Sequence, residues 1–300
     1  MTLESVVAAA FGPDAEIRRH RPFPYTTSHP IEELVVDTGG STVEVLVKAL
    51  DPSSVVAEAQ GVAPAFLLDA GREAEVYRTL LPRAPGGTAR MYTAEDGVLV
   101  LEKVRGAPLW EVGDLAVWEE AARWLARLHR ARLHERVRPP PRHLLRYDRR
   151  YYDRWLGRVA STLGARDADR LAAVHVGVVE ELLALPQTLI HGEFYASNVL
   201  VSPSECPPRI CPVDWEMAGV GPALVDLAAL TSGWDGAAVA RLVDAYRQAG
   251  GYGGTDRDLD LCRLHLCLRW AGWSTGWRPP AEHGRDWLGE AVDLAARLTA

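Results

Sequence analysis

The spacing of apolar residues changes character at Arg105-Gly106 in this 300-residue chain, and that change constrains the architecture. Before it, short β-branched runs alternate with turn signals. Residues 15–25, 31–37 and 42–50 read as strands, the last two joined through Thr38-Gly39-Gly40-Ser41. Residues 91–93 and 98–104 read as a second hairpin around Glu95-Asp96-Gly97. Residues 71–81 between them have helical spacing and stop before Pro82. Five antiparallel strands and one helix therefore form a small lobe over residues 1–104. Beyond it the texture is helical. Asp114 is placed to cap a helix running to about 133, and another covers 167–185 and ends at Pro186. Helices return from Ala223 onward, over 237–249, 258–273 and 281–298. A β insertion over 188–190, 198–201 and 209–215 interrupts them. The pattern predicts an α+β chain in two lobes: a small antiparallel sheet with one helix, and a larger, mainly helical lobe (105–300) carrying a β-hairpin insertion. No long linker separates the lobes, so a cleft is expected between them.

A net charge of −7 argues against a nucleic-acid binder. Arginines recur over 136–158, but Asp148 and Asp153 interrupt them and the apolar spacing suits a solvated helix face. No apolar run reaches the roughly 20 residues of a membrane span. The first ten residues carry Glu4 and no basic segment, unlike a signal peptide, so a cytoplasmic protein without a membrane partner is expected. The oligomeric state is not legible. Cys206 and Cys211, and Cys262 and Cys267, stand too far apart for the tight Cys-x-x-Cys zinc knuckle, and Cys262 and Cys267, in the apolar helical pattern LCRLHLCLRW, read as core thiols. Only Lys48 and Lys103 are lysines among 33 basic residues, and Asn198 is the single asparagine. In a chain so depleted, the survivors mark positions where those side chains are needed.

The chemistry concentrates between His191 and Glu216. In LIHGEFYASNVLV an apolar run delivers Glu193 at a strand end, and Asn198 opens the next strand. Asp214 follows the return strand in ICPVDWEM. Phosphoryl transfer needs such a set, a base that orients a hydroxyl and oxygen ligands for Mg²⁺ on the phosphates. Glu193 is the candidate base, with Asn198 and Asp214 the candidate metal ligands. Lys48, in the strand pattern VEVLVKAL, would hold the α- and β-phosphates, fixed by an ion pair with Glu73 on the following helix. The plainer alternative for Lys48 is an exposed residue on the polar face of a half-buried strand.

At these residues the chain resembles the aminoglycoside phosphotransferase and choline kinase-like family, whose fold is protein kinase-like. The resemblance spans about residues 43–230. Its catalytic loop, His-Gly-Asp then Asn after four residues, is matched by His191-Gly192-Glu193 and Asn198; its Asp-Trp-Glu motif by Asp214-Trp215-Glu216. Gly221-Pro222, Asp226-Leu227-Ala228 and the helix ending Leu128-His129 match further motifs. The resemblance implies an ATP- and Mg²⁺-dependent kinase of a small-molecule hydroxyl. It also implies that the backbone of Glu102, Lys103 and Val104 meets adenine, that His191 braces the loop, and that Asp226 holds the loop's backbone N–H groups. Two departures stand out. Glu193 replaces the usual Asp, and a shift of about 1 Å in a catalytic group can lower a rate about a hundredfold. The loop between the first strands has no glycine, which leaves Thr26, Thr27 and Ser28 to cover phosphate.

Two rival readings follow. His191-x-Glu193 with later cysteines resembles a zinc deaminase, but Cys206 and Cys211 are wrongly spaced and Lys48, Asn198 and Asp214 go unexplained. A nucleotide-binding pseudokinase with a regulatory or interaction role would keep the fold while Glu193 removes turnover. For the acceptor, Trp270, Trp273 and Trp277 recur at helical spacing, as an aromatic wall or as helix packing. Asp256, Asp258 and Asp260 read either as a polycation site or as a helix start. An antibiotic, a sugar, a nucleoside or an amino alcohol all fit.

Overall fold

The computed structural model describes residues 2–24, 29–51, 54, 64–161, 163–202, 207–273 and 285–299. It opens with a helix that strand-like patterning did not announce, α1 (Leu3–Phe11), capped by Thr2, whose hydroxyl accepts from Ser5 N. Strands β1 (Glu16–Pro22), β2 (Ile31–Asp37) and β3 (Thr42–Ala49) follow, then helix α2 (Ala70–Glu75) and strands β4 (Met91–Glu95) and β5 (Val98–Glu102). The strands form one antiparallel sheet in the order β1-β2-β3-β5-β4.

Both faces of this sheet are covered, and that fixes where Lys48 goes. Val6 and Val7 of α1 pack with Leu34, Val36, Val45, Val47 and Val100 on one face. Side chains alternate along a strand, so Leu99 and Leu101 turn to the other face and join Val76, Tyr77 and Leu80 in the main core. Lys48 follows Val47 and pairs with Leu99, so it falls on that second face and is buried.

The helix expected over 71–81 is a composite. α2 ends at Glu75, a wider π turn spans Val76–Leu80, and a 3-10 turn covers Leu81–Arg83. Pro82 has no N–H to continue the α-helical ladder, and apolar periodicity does not resolve turns of such similar width.

The larger lobe begins with β6 (Ala107–Pro108), α3 (Leu115–Ala131), capped by Asp114, and α4 (Leu133–Arg136). Next come β7 (Leu145–Arg146), α5 (Arg149–Ala160) and α6 (Ala165–Ala184). Within the Arg-rich stretch, α5 starts only after Asp148, which caps it, and buries Tyr151, Tyr152, Trp155 and Val159. Then follow β8 (Gln187–Ile190), β9 (Val199–Ser202), β10 (Arg209–Pro212) and β11 (Gly219–Pro222). Helices α7 (Leu224–Leu230), α8 (Gly236–Gln248), α9 (Asp256–Trp273) and α10 (Trp287–Thr299) complete it. α9 packs against α5, α6, α7 and α10.

The insertion differs from its expected form. β9 and β10 make the hairpin, extended by β6, but residues 188–190 lie in another sheet. There β8 pairs antiparallel with β11, and β11 pairs parallel with β7. Strand partners are chosen by tertiary packing, and β11, reading GVGP, has no apolar alternation to announce it. The capping reading of Asp258 holds: Thr255 N donates to its carboxylate and Asp258 N donates to the Thr255 hydroxyl. No described helix is long and apolar enough to cross a membrane.

Candidate active site

Strand β8 ends at Ile190 and releases the loop that carries Glu193 and Asn198. Asp226, fully buried at the start of α7, accepts from His191 N at 2.7 Å and Gly192 N at 2.8 Å. His129 Nε2 lies 3.2 Å from the same carboxylate, and its Nδ1 lies 2.8 Å from the Tyr246 hydroxyl. His191 is buried; its Nε2 donates to Val213 O at 2.9 Å and its Nδ1 accepts from Glu193 N at 3.3 Å. Burial lowers its pKa despite Asp226. A neutral ring with both nitrogens engaged fits a bracing role. Gly192 has φ +85°, and a Cβ there would sit 2.4 Å from Met217 O, so a side chain is excluded.

The loop turns at Tyr195, and Asn198 donates from Nδ2 to Glu193 O at 3.1 Å. That bond commits the amide nitrogen and leaves Oδ1 as the lone-pair donor. Burial raises the Glu193 carboxyl above its ordinary pKa; Arg269 opposes this and Asp214 adds to it.

Lys48 gathers the acidic residues of both lobes. Its Nζ lies 2.7 Å from Glu73 Oε2, 2.7 Å from Asp214 Oδ1 and 3.9 Å from Glu216 Oε2. Burial alone would depress the ammonium, but Asp214, Glu73 and Glu216 raise it well above its usual value. Burial likewise works against the Asp214 charge, and Lys48 overcomes it. Asp214 adopts a left-handed backbone conformation (φ 64°, ψ 66°), uncommon outside glycine and held here by its neighbours. Trp215 N donates to Glu73 Oε1 at 3.3 Å. The exposed alternative for Lys48 is thus overturned: it is buried, with Glu73 of α2 and Asp214 of the turn after β10 against its ammonium.

Lys103 is different. Its ammonium pairs with Glu33 at 2.8 Å on the small-lobe sheet, and its N–H donates to Glu44 O at 3.0 Å. Arg209 grips the Glu102 carboxylate at 2.7 and 2.9 Å and holds it below the usual range. Both side chains are thereby committed to structure, and any nucleotide contact here falls to backbone groups. Thr26, Thr27, Ser28, Trp277 and Cys206 lie outside the described residues. Trp270 stacks on Trp287 at 5.7 Å and donates to the Tyr195 hydroxyl at 2.6 Å; Trp273 stacks on Trp155 at 6.0 Å.

Sequence reasoning missed two arginines. Arg72, one residue before Glu73, bonds Glu216 O, Leu67 O and His143 O. Arg269 reaches the loop from α9. The signal for Arg269 was available: a charge inside the apolar run LCRLHLCLRW.

Asp214 with the amide oxygen of Asn198, and Glu216 nearby, make a sparse hard-oxygen donor set. Among the described residues no three His, Cys, Asp or Glu side chains gather into a metal cluster, and burial pushes the Cys211 thiol up to about 12. Few protein oxygens beside a lysine fit Mg²⁺, which takes one or two protein ligands and completes its shell with phosphate and water. They do not fit the zinc-deaminase alternative.

The order of these motifs finds its counterpart in a family profile, described as APH, phosphotransferase enzyme family, which matches residues 36–264. The chain belongs to that family. Among solved structures, choline kinase LicA from Streptococcus pneumoniae is 13% identical, with a TM-score of 0.67 over 98% of this chain and 99% of that one. LicA in complex with AMP gives a TM-score of 0.65 at 12% identity, over 99% and 97%. Macrolide 2'-phosphotransferase MphH from Brachybacterium faecium gives 0.62 at 17% identity, over 98% of each chain. At these identities the likeness carries the fold, a two-lobed protein kinase-like α+β architecture. A search of curated proteins found no match.

Proposed function

We propose that this phosphotransferase moves the γ-phosphoryl group of ATP, with Mg²⁺, to a hydroxyl of a small molecule: an antibiotic, a sugar, a nucleoside or an amino alcohol. The observation that carries this is the Lys48 ammonium, 2.7 Å from both Glu73 and Asp214, with Asn198 and Glu193 presented by the neighbouring loop. Magnesium-bound ATP supplies the phosphoryl group and a cation that offsets its charge. Lys48 neutralises phosphate oxygens, and Glu73 keeps it in place. Asp214 and Asn198 hold the metal. Glu193 orients the acceptor hydroxyl and takes its proton. The backbone of Glu102, Lys103 and Val104, at the join between lobes 1–104 and 105–300, meets adenine, and the hydroxyls of Thr26, Thr27 and Ser28 are the sequence's candidates for phosphate contacts. The AMP complex of LicA supports a nucleotide in this cleft.

Screening hydroxylated metabolites and antibiotics for ATP consumption tests the reading. Glu193→Gln should lower turnover by at least about a hundredfold while leaving Mg-ATP binding nearly unchanged. An unaffected rate would remove Glu193 as the base. Mg-ATP binding without turnover on any acceptor would favour the pseudokinase alternative instead.

A further inference from the structure

Arg269 is among the largest side chains wholly removed from solvent, 1% exposed in the middle of α9. Its guanidinium donates from Nη1 to Gly192 O and from Nη2 to the Tyr195 hydroxyl at 3.0 Å. These two anchors flank Glu193, and the same Nη2 lies 3.5 Å from Glu193 Oε1. No other ion pair of Arg269 is found among the described residues. The Tyr147 and Tyr151 phenols and the His265 ring also face it, and burial, with the guanidinium itself, keeps that imidazole neutral.

A buried guanidinium is not explained by packing, since an apolar residue of similar volume fills a core at least as well. What only arginine offers here is a planar fork reaching a carbonyl, a hydroxyl and a carboxylate together. Glutamate has one more rotatable bond than aspartate, so a carboxylate on this side chain needs more restraint to stay where a substrate hydroxyl would meet it. We propose that Arg269 is the positioning residue for Glu193: it clamps the loop on both sides of the glutamate and fixes the reach of its carboxylate into the cleft. This rests on the reading of Glu193 as the base.

The test uses the full chain, with Mg-ATP and water as the acceptor, followed by phosphate release. Arg269→Lys keeps the charge and loses the fork. It should lower kcat about tenfold or more while changing KM for Mg-ATP less than about twofold. Arg269→Gln should lower kcat further. In a Glu193→Asp background, whose shorter side chain retreats from the guanidinium, both substitutions should matter much less. Equal losses in the two backgrounds, or an unchanged kcat, would overturn the inference. Should Arg269→Gln not fold, Arg269→Lys and Tyr195→Phe carry the same comparison. A crystal structure of Arg269→Lys decides independently of turnover. A displaced Glu193 carboxylate supports the clamp and an unmoved one refutes it, even if the wild-type protein transfers no phosphate and the kinase reading fails.

Discussion

Arg72 donates from Nη1 to the carbonyl oxygen of Glu216 at 2.6 Å, across 144 residues of sequence. Arg72 also donates to Leu67 O at 2.8 Å and to His143 O at 2.9 Å. Since Glu73 is the next residue, this bond sets the distance between the helix that holds Lys48 and the turn that carries Asp214. Glu75 adds to the same joint, its carboxylate accepting from Arg142 N and His143 N.

Arg72→Gln leaves three carbonyl oxygens short of their donor, two of them from different parts of the larger lobe. The expected loss is about 3 kcal/mol in chemical denaturation. Mg-ATP affinity should fall about tenfold or more, because the Lys48–Glu73 pair loses its reference point. Arg72→Lys should recover little, since one ammonium cannot span three acceptors. Unchanged stability in both variants would show that the helix is held elsewhere.

Asp226→Asn should be severe although it changes one atom. The carboxylate accepts two backbone N–H groups and faces His129 in a fully buried site. An amide can place only one oxygen there, so one N–H is left facing another donor. We expect a loss of about 2–4 kcal/mol, read as a lower denaturation midpoint with an unchanged denaturant slope. A variant as stable as wild type would mean that the loop closes without this anchor.

The acidity of Glu216 gives stability a pH dependence of definite sign. Burial first, then the Asp214 charge, push its carboxyl up to about 8, with Lys48 opposing, against an ordinary value of 4.5. Between those values the unfolded chain has released a proton that the folded chain keeps. This contribution to stability is therefore complete below pH 4.5 and is lost as pH rises to about 8. Glu216→Gln removes the titration. Its melting temperature, relative to wild type, should rise by a few degrees between about pH 5 and about pH 8.5. A difference independent of pH would show that Glu216 ionises normally.

The elements that repeat locally were open to sequence reading. β2 has the expected bounds, and the helices at 115–131, 165–184, 236–248 and 256–273 fall within a few residues of expectation. Those signals are short-range: alternation, caps and a proline stop. α1 went unassigned because its run of alanine and valine next to a predicted strand carries no capping signal stronger than Thr2. β8 pairs with β11 instead of joining the β9–β10 insertion, because register and pairing depend on the rest of the sheet.

Within the site, sequence by itself determined the residue types. A carboxylate, the single asparagine and a second carboxylate stand at phosphotransfer spacing, and a rare lysine lies on a strand before a helix bearing glutamate. Only tertiary structure decided which of them meet. The covering of both sheet faces buried Lys48 between Glu73 and Asp214, and the packing of α9 brought Arg269, 76 positions after Glu193, to 3.5 Å from its carboxylate. Local patterning reports which face of an element is apolar. It cannot report which distant charge will be enclosed beside another, because that energy exists only once water has been excluded from both.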